Sequence, residues 1–89
     1  MMTPKEIEKT LNKYAMRIVF IKKDGSERNM LCSRDFKTIN KYAEEFGYTP
    51  PQNPGSRPLP ANLLRVWDLE KSGWRTINFD TIISAEIDE

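Results

Sequence analysis

The chain begins with a short amphipathic pattern. Apolar side chains recur at Ile7, Leu11 and Tyr14, a spacing of three to four that places them on one face of a helix. The Thr-Pro-Lys-Glu segment starting at Thr3 supplies a capping hydroxyl, a proline suited to the first helical position and the glutamate of a capping box. These features predict a helix over residues 4–14.

Four consecutive apolar residues form the next pattern. A fully apolar run indicates a strand covered on both faces, so we assign Ile18 and Phe20 to a barrel interior and expect Val19 and Ile21 to meet the first helix. An Asp-Gly pair follows, and it supplies the positive φ angles of a tight turn. A hairpin over residues 17–32 is therefore predicted.

A second amphipathic pattern follows the hairpin, with apolar residues three and four positions apart. Ser33 is suited to cap the start of a helix, and Gly47 stands where a helix end favours left-handed backbone. The pattern predicts a helix over residues 34–46. Its residues expected to be largely buried against the barrel are Phe36, Ile39, Ala43 and Phe46.

Residues 48–62 contain five of the six prolines and predict an extended loop rather than a regular element. Loops of this length are often functional. Beyond the loop, residues 63–87 predict three strands, at 63–68, 74–79 and 83–87, with a tight corner before the last strand.

This order of elements predicts one domain spanning residues 1–89. The fold class is α+β and mainly β, a five-stranded SH3-like or Sm-like barrel. One helix precedes the barrel, and a second helix is inserted between strands 2 and 3. Closing such a sheet removes most exposed edges.

The residue types needed for common catalysis are missing. There is no histidine, which excludes serine–histidine and cysteine–histidine nucleophile pairs and the commonest metal ligand. Cys32 is the only cysteine, so an internal disulfide and a zinc site built from several cysteines are excluded. It is either a thiolate favoured by the helix that follows or a half-buried apolar residue. We expect no enzyme activity, no cofactor and no metal.

No apolar run approaches the roughly 20 residues of a membrane helix, and the first residues lack a signal-peptide layout. We therefore expect a soluble cytoplasmic protein without a membrane partner. The sequence does not specify its oligomeric state.

Charge is distributed unevenly although the net charge is only +1. Residues 17–37 hold six basic and three acidic side chains, whereas residues 63–89 hold three basic and six acidic ones. The basic segment indicates a phosphate-binding patch. The alternative is a solvated hairpin tip, because acidic residues are interleaved and neighbouring strands can cancel the charge. The candidate nucleic-acid or anion ligands here are Lys22, Lys23, Arg28, Arg34 and Lys37.

A second candidate surface combines the proline-rich loop with the third and fourth strands. Trp67 and Trp74 are predicted on one hairpin, and tyrosine, arginine and tryptophan dominate the energy of many interfaces. The alternative is that the two tryptophans pair across the hairpin and pack against the loop. The candidate partner-binding residues are Tyr48, Arg57, Trp67 and Trp74.

The fourth strand and its corner also carry a family resemblance. A glycine, an aromatic residue, an arginine and a threonine precede an Asp-x-Ile corner, and this order resembles the end of a WYL-type domain. The hairpin 17–32 is similar to that of a compact phage branch of the same superfamily, described as WYL-like with an Sm-like SH3 β-barrel. The matching residues are Gly73, Trp74, Arg75, Thr76, Asp80 and Ile82.

The resemblance implies a regulatory module that senses nucleic acid or nucleotide ligands, and the phage branch implies action on host machinery in the host cytoplasm. Arg75 is the basic residue that carries over as a ligand candidate, whereas Thr81 stands where the pattern has an arginine. Our leading hypothesis is a non-enzymatic binding module for nucleic acid or a host nucleic-acid-handling protein. The alternative is a protein-binding inhibitor or assembly adaptor without nucleic-acid contact.

Overall fold

The computed structural model of the protein describes residues 2–52 and 59–88. These residues form two α-helices and five strands. The predicted α+β, mainly β fold class is confirmed, and so is the position of the second helix between strands 2 and 3. In chain order the elements are α1 (Pro4–Leu11), β1 (Met16–Ile21), β2 (Glu27–Ser33), α2 (Phe36–Phe46), β3 (Leu63–Asp68), β4 (Gly73–Asn78), a 3-10 turn (Phe79–Thr81) and β5 (Ile82–Ile87).

The strands form one antiparallel sheet in the order β4-β3-β2-β1-β5. The β1–β2 and β3–β4 hairpins are paired along their lengths, but β2 meets β3 only through Cys32 opposite Asp68 and Ser33 opposite Trp67. β2 and β3 therefore overlap only at their C-terminal ends, and the rest of each strand extends beyond the other. Within the described residues no ladder links β4 to β5, and the 3-10 turn connects them.

The first helix fills the interior of the curved sheet. Ile7 and Leu11 pack in one cluster with Met16, Ile18 and the inward side chains of β2, β3 and β4. The expectation that α1 meets Val19 and Ile21 was wrong. These residues lie on the opposite face of β1, where Val19 is half-buried and Ile21 is 36% exposed.

The second helix packs on the outer face of the sheet. Ile39 and Ala43 are buried in a cluster that includes Leu31 and Trp67. The predicted burial of Phe36 and Phe46 was wrong, since they are 37% and 50% exposed. These phenylalanines are the first and last residues of α2, and only the middle of the helix rests on the cluster.

Polar contacts explain why both helices are shorter than predicted. α1 ends at Leu11 rather than at residue 14. The Leu11 carbonyl oxygen accepts the Arg34 N–H at 2.9 Å, and Tyr14 is 51% exposed. Asp35, not Ser33, caps α2 by accepting a hydrogen bond from the Thr38 N–H. The buried Ser33 hydroxyl instead lies 3.1 Å from the carbonyl oxygen of Tyr14.

The end of α2 follows the prediction, with Gly47 at a φ of 77°. No helix in the described ranges has the length and apolar character to span a membrane.

Candidate nucleic-acid interface

Arg28 is held by a buried carboxylate. Its Nη2 donates to the Oδ2 of Asp68 at 2.5 Å, and the Asp68 side chain is only 2% exposed. The other oxygen of this carboxylate accepts hydrogen bonds from the backbone N–H groups of Glu70 and Lys71. Arg28 and Asp68 thus tie β2 to the turn between β3 and β4.

Arg34 and Lys37 lie near the far end of β2 from Arg28. Arg34 lies six positions after Arg28, and at about 3.3 Å per residue an extended chain places them roughly 20 Å apart. Arg34 contacts Glu8 at 3.5 Å and the Asn12 side chain at 3.3 Å. The structure therefore does not gather the five predicted front cations on one surface.

Arg75 turns back along its own strand. Its Nη1 donates to the carbonyl oxygen of Trp74 at 3.0 Å, and its guanidinium lies beside Gly73. A Cβ at Gly73 would lie 2.5 Å from Nη1, and the flexible end of the Arg75 side chain would move to accommodate it.

Lys22 and Lys23 stand exposed at the tip of the first hairpin. Among the described residues neither forms an ion pair. The nearby Asp24 carboxylate accepts hydrogen bonds from both the hydroxyl and the N–H of Ser26, and these bonds lower the pKa of Asp24. Gly25, at a φ of 86°, completes the turn.

The two lysines border a cavity of about 500 Å³, which we call the mouth pocket. Its apolar lining comes from Phe20, Ile21 and Leu63. The pocket lies between the tip of the first hairpin, the start of β3, and the end of β4 with the turn that follows it. Its volume falls within the ~300–1,000 Å³ typical of ligand sites.

Polar side chains from β4 and the following turn complete the mouth pocket. They are Thr76, Asn78 and Thr81. The Asn78 Oδ1 accepts the Asp80 N–H at 2.9 Å, which leaves its amide N–H groups as donors. The Thr81 hydroxyl donates to the Asn78 carbonyl oxygen at 2.7 Å and retains acceptor capacity.

A second cavity, of about 420 Å³, lies on the other side of the hairpin. Its charged lining consists of three cationic and three acidic side chains, so it does not favour an anion over a cation. These residues are Lys22, Arg28, Lys71, Glu27, Asp68 and Glu70. The mouth pocket is the better anion site because, among the described residues, the charged side chains that line it are both lysines.

The predicted partner residues on β3 and β4 pack together. Trp67 and Trp74 meet edge to face with ring centroids 5.2 Å apart, and Tyr48 lies 6.0 Å from Trp67. The Trp67 indole N–H donates to the Tyr48 hydroxyl oxygen at 3.2 Å. Trp67 is buried and Trp74 half-buried, as in the packing alternative. Arg57 lies outside the described residues.

Cys32 is fully buried in the interior cluster. Burial, with a smaller contribution from the Asp68 charge, raises the pKa of its thiol to about 12. The structure thus supports an apolar role for Cys32 over that of a reactive thiolate.

Sequence reasoning identified the two lysines but missed the other residues of the mouth pocket. Leu63 and Asn78 are ordinary strand residues that no local motif marks. Thr76 and Thr81 were named only as positions of the WYL-type pattern and not as ligand candidates. The available signal was pairing, because Leu63 lies opposite Asn78 in the β3–β4 register.

Comparison with known proteins gives one family match. Residues 5–83 match the family model described as WYL_2, Sm-like SH3 beta-barrel fold. No curated protein and no solved structure matches the chain. The match confirms the WYL-like resemblance of the hairpin and of β4, and barrels of this fold are generally binding modules rather than catalytic ones. The chain therefore belongs to the WYL_2 family of Sm-like SH3 β-barrel domains.

Proposed function

We propose that this domain is a non-enzymatic regulatory module that binds nucleic acid through the tip of its first hairpin. A phage origin and action in the host cytoplasm are part of the proposal, and the likeness of the hairpin 17–32 to the phage branch supports them. The lack of histidine and the buried Cys32 thiol support a binding role over a catalytic one.

One observation carries the proposal. Lys22 and Lys23 are adjacent, exposed and without ion pairs in the described ranges, and both border a pocket with an apolar lining. By contrast, Arg28 and Arg34 already contact carboxylates. Exposed lysines that are not held in an ion pair can contact phosphate and release counterions from the nucleic acid.

The test is a titration of labelled single- and double-stranded DNA and RNA at low and moderate salt. We expect binding at low salt that weakens as salt rises. The double variant Lys22→Ala/Lys23→Ala should flatten the dependence of log affinity on log salt by about one to two units, since each lost phosphate contact removes about 0.7–0.9.

The matched control is Lys9→Ala/Lys13→Ala. It removes the same charge from α1 and the turn after it, close to the Asn12 that contacts Arg34. The control should keep the wild-type salt slope. Absence of binding by the wild-type protein at low salt would refute the nucleic-acid proposal.

A host protein, including one that handles nucleic acid, is the second candidate partner. The exposed rings of Phe36 and Phe46 favour it, because aromatic residues are enriched at interfaces. If the protein is such an inhibitor or adaptor, a pull-down from host lysate should capture a partner protein with the wild-type chain and lose that partner with Phe46→Ala. Capture that is unaffected by Phe36→Ala and Phe46→Ala would count against this surface.

A further inference from the structure

We infer that the mouth pocket receives one unstacked nucleotide of a single strand, with its base inside the pocket and its phosphate on Lys22 and Lys23. The inference rests on the proposed function and adds the form of nucleic acid and the residues that contact the base. It follows from the chemistry of the pocket lining rather than from charge alone.

The pocket separates an apolar region from a cationic one. Phe20 is half-buried, and its accessible part lines the pocket together with Ile21 and Leu63. The lysines border the same space. A nucleotide has this division, because its base is a flat ring with a π face and its phosphate is an anion. Contact between a base and an aromatic side chain is favourable for every base.

Hydrogen-bonding groups are available where the edge of a base would lie. The Asn78 amide offers N–H donors, and the Thr76 hydroxyl is exposed on β4. The Thr81 oxygen retains acceptor capacity. These groups can bind the Watson–Crick edge of a base, which a duplex hides.

The position of the pocket also favours a single strand. The lysines lie on a hairpin tip beside a cavity of about 500 Å³, and a base must leave its stack to enter a cavity. A duplex would present phosphates to the lysines and leave the apolar lining empty. Affinity for a single strand should therefore exceed that for a duplex.

Three DNA probes with equal numbers of phosphates test the inference on the wild-type protein. They are a thymidine strand of about twenty-four nucleotides, an abasic strand of the same length and a duplex of about twelve base pairs. At low salt we expect the thymidine strand to bind about tenfold more tightly than either other probe. Free thymidine monophosphate should compete only at more than about tenfold higher concentration, because it carries one phosphate.

A variant locates the effect. Thr76→Leu adds bulk at an exposed pocket residue, and Ser84→Leu is the same type of change on β5, outside the pocket. Thr76→Leu should reduce the preference for bases over abasic sites to less than about threefold and retain binding to the abasic strand. Ser84→Leu should keep the tenfold preference.

The outcomes separate the inference from the proposed function. Equal binding of all three probes, with wild-type salt dependence, would overturn the base pocket and leave nucleic-acid binding standing. Competition by the monophosphate at equal concentration would overturn a strand as the ligand. No binding of any probe would refute the proposed function itself. The wild-type comparison of thymidine with abasic strands decides the question even if Thr76→Leu fails to fold.

Discussion

The pair formed by Arg28 and Asp68 tests most sharply which basic residues stabilise the fold and which are available to bind a ligand. We expect Arg28 to stabilise the fold rather than bind ligand, because it donates to a carboxylate that is almost fully buried. The perturbations are Arg28→Met, which keeps an apolar stem, Asp68→Ala, and the double variant.

The magnitude follows from what each change leaves behind. Breaking a buried ion pair costs about 3–5 kcal/mol, but the Arg28 side chain is 25% exposed and Asp68 keeps two backbone N–H donors. We therefore expect Arg28→Met to cost about 2–3 kcal/mol. Asp68→Ala also removes those two hydrogen bonds, each worth about 1 kcal/mol, and should cost about 3–4 kcal/mol.

Urea unfolding of the four proteins measures these costs and the coupling between the two residues. We expect a coupling energy of about 2 kcal/mol, with little change in the dependence of unfolding free energy on urea. Under conditions where Arg28→Met stays folded, its nucleic-acid affinity should have the wild-type salt slope. A coupling below about 0.5 kcal/mol, or a slope as flat as that of Lys22→Ala/Lys23→Ala, would refute the assignment.

Three further predictions concern the two apolar clusters. Ile39→Ala should destabilise the protein by about 2–5 kcal/mol because Ile39 is fully buried. Phe46→Ala should cost only about 1 kcal/mol because the Phe46 ring is half-exposed. Equal costs of the two substitutions in urea unfolding would contradict the observed packing. Burial raises the pKa of the Cys32 thiol to about 12 from its ordinary value of 9.0, so the unfolded chain loses the thiol proton first as pH rises. The stability of the wild-type protein should therefore fall relative to that of Cys32→Ala as pH rises above 9.0. Parallel stability profiles of the two proteins against pH would show an exposed thiol. Tyr48→Phe should cost about 1 kcal/mol because the Trp67 N–H loses its acceptor, and an unchanged thermal midpoint would argue against that hydrogen bond.

Local sequence patterns predicted most of the fold because the signals that define its turns and helices each lie within a few residues of the chain. The Asp-Gly turn, the glycine at the end of α2 and the apolar spacing in both helices all act over short distances. The face of β1 that α1 covers was not predictable in this way. Both faces of that strand are apolar, so only the curvature of the assembled sheet decides that Ile18 meets the helix and Ile21 does not.

Helix ends and the pairing of charges also depend on tertiary contacts. The sequence pattern predicted Ser33 as the cap of α2, but the Ser33 hydroxyl contacts the Tyr14 carbonyl oxygen and Asp35 caps the helix instead. The acidic excess of the last third suggested cancellation of the basic front. Which arginine is neutralised follows from the short β2–β3 ladder, which brings Asp68 to Arg28. The mouth pocket combines residues from three segments and has no local signature.

Mapping by nuclear magnetic resonance tests the central claim most directly. Addition of a single-stranded thymidine oligonucleotide to the labelled protein should shift the backbone amide signals of Lys22, Lys23, Thr76 and Thr81 most strongly. The shifts should saturate together with one affinity and shrink as salt is added. Shifts confined to α2 or to the cluster of Tyr48, Trp67 and Trp74, or no shifts at low salt, would contradict a nucleic-acid interface at the hairpin tip.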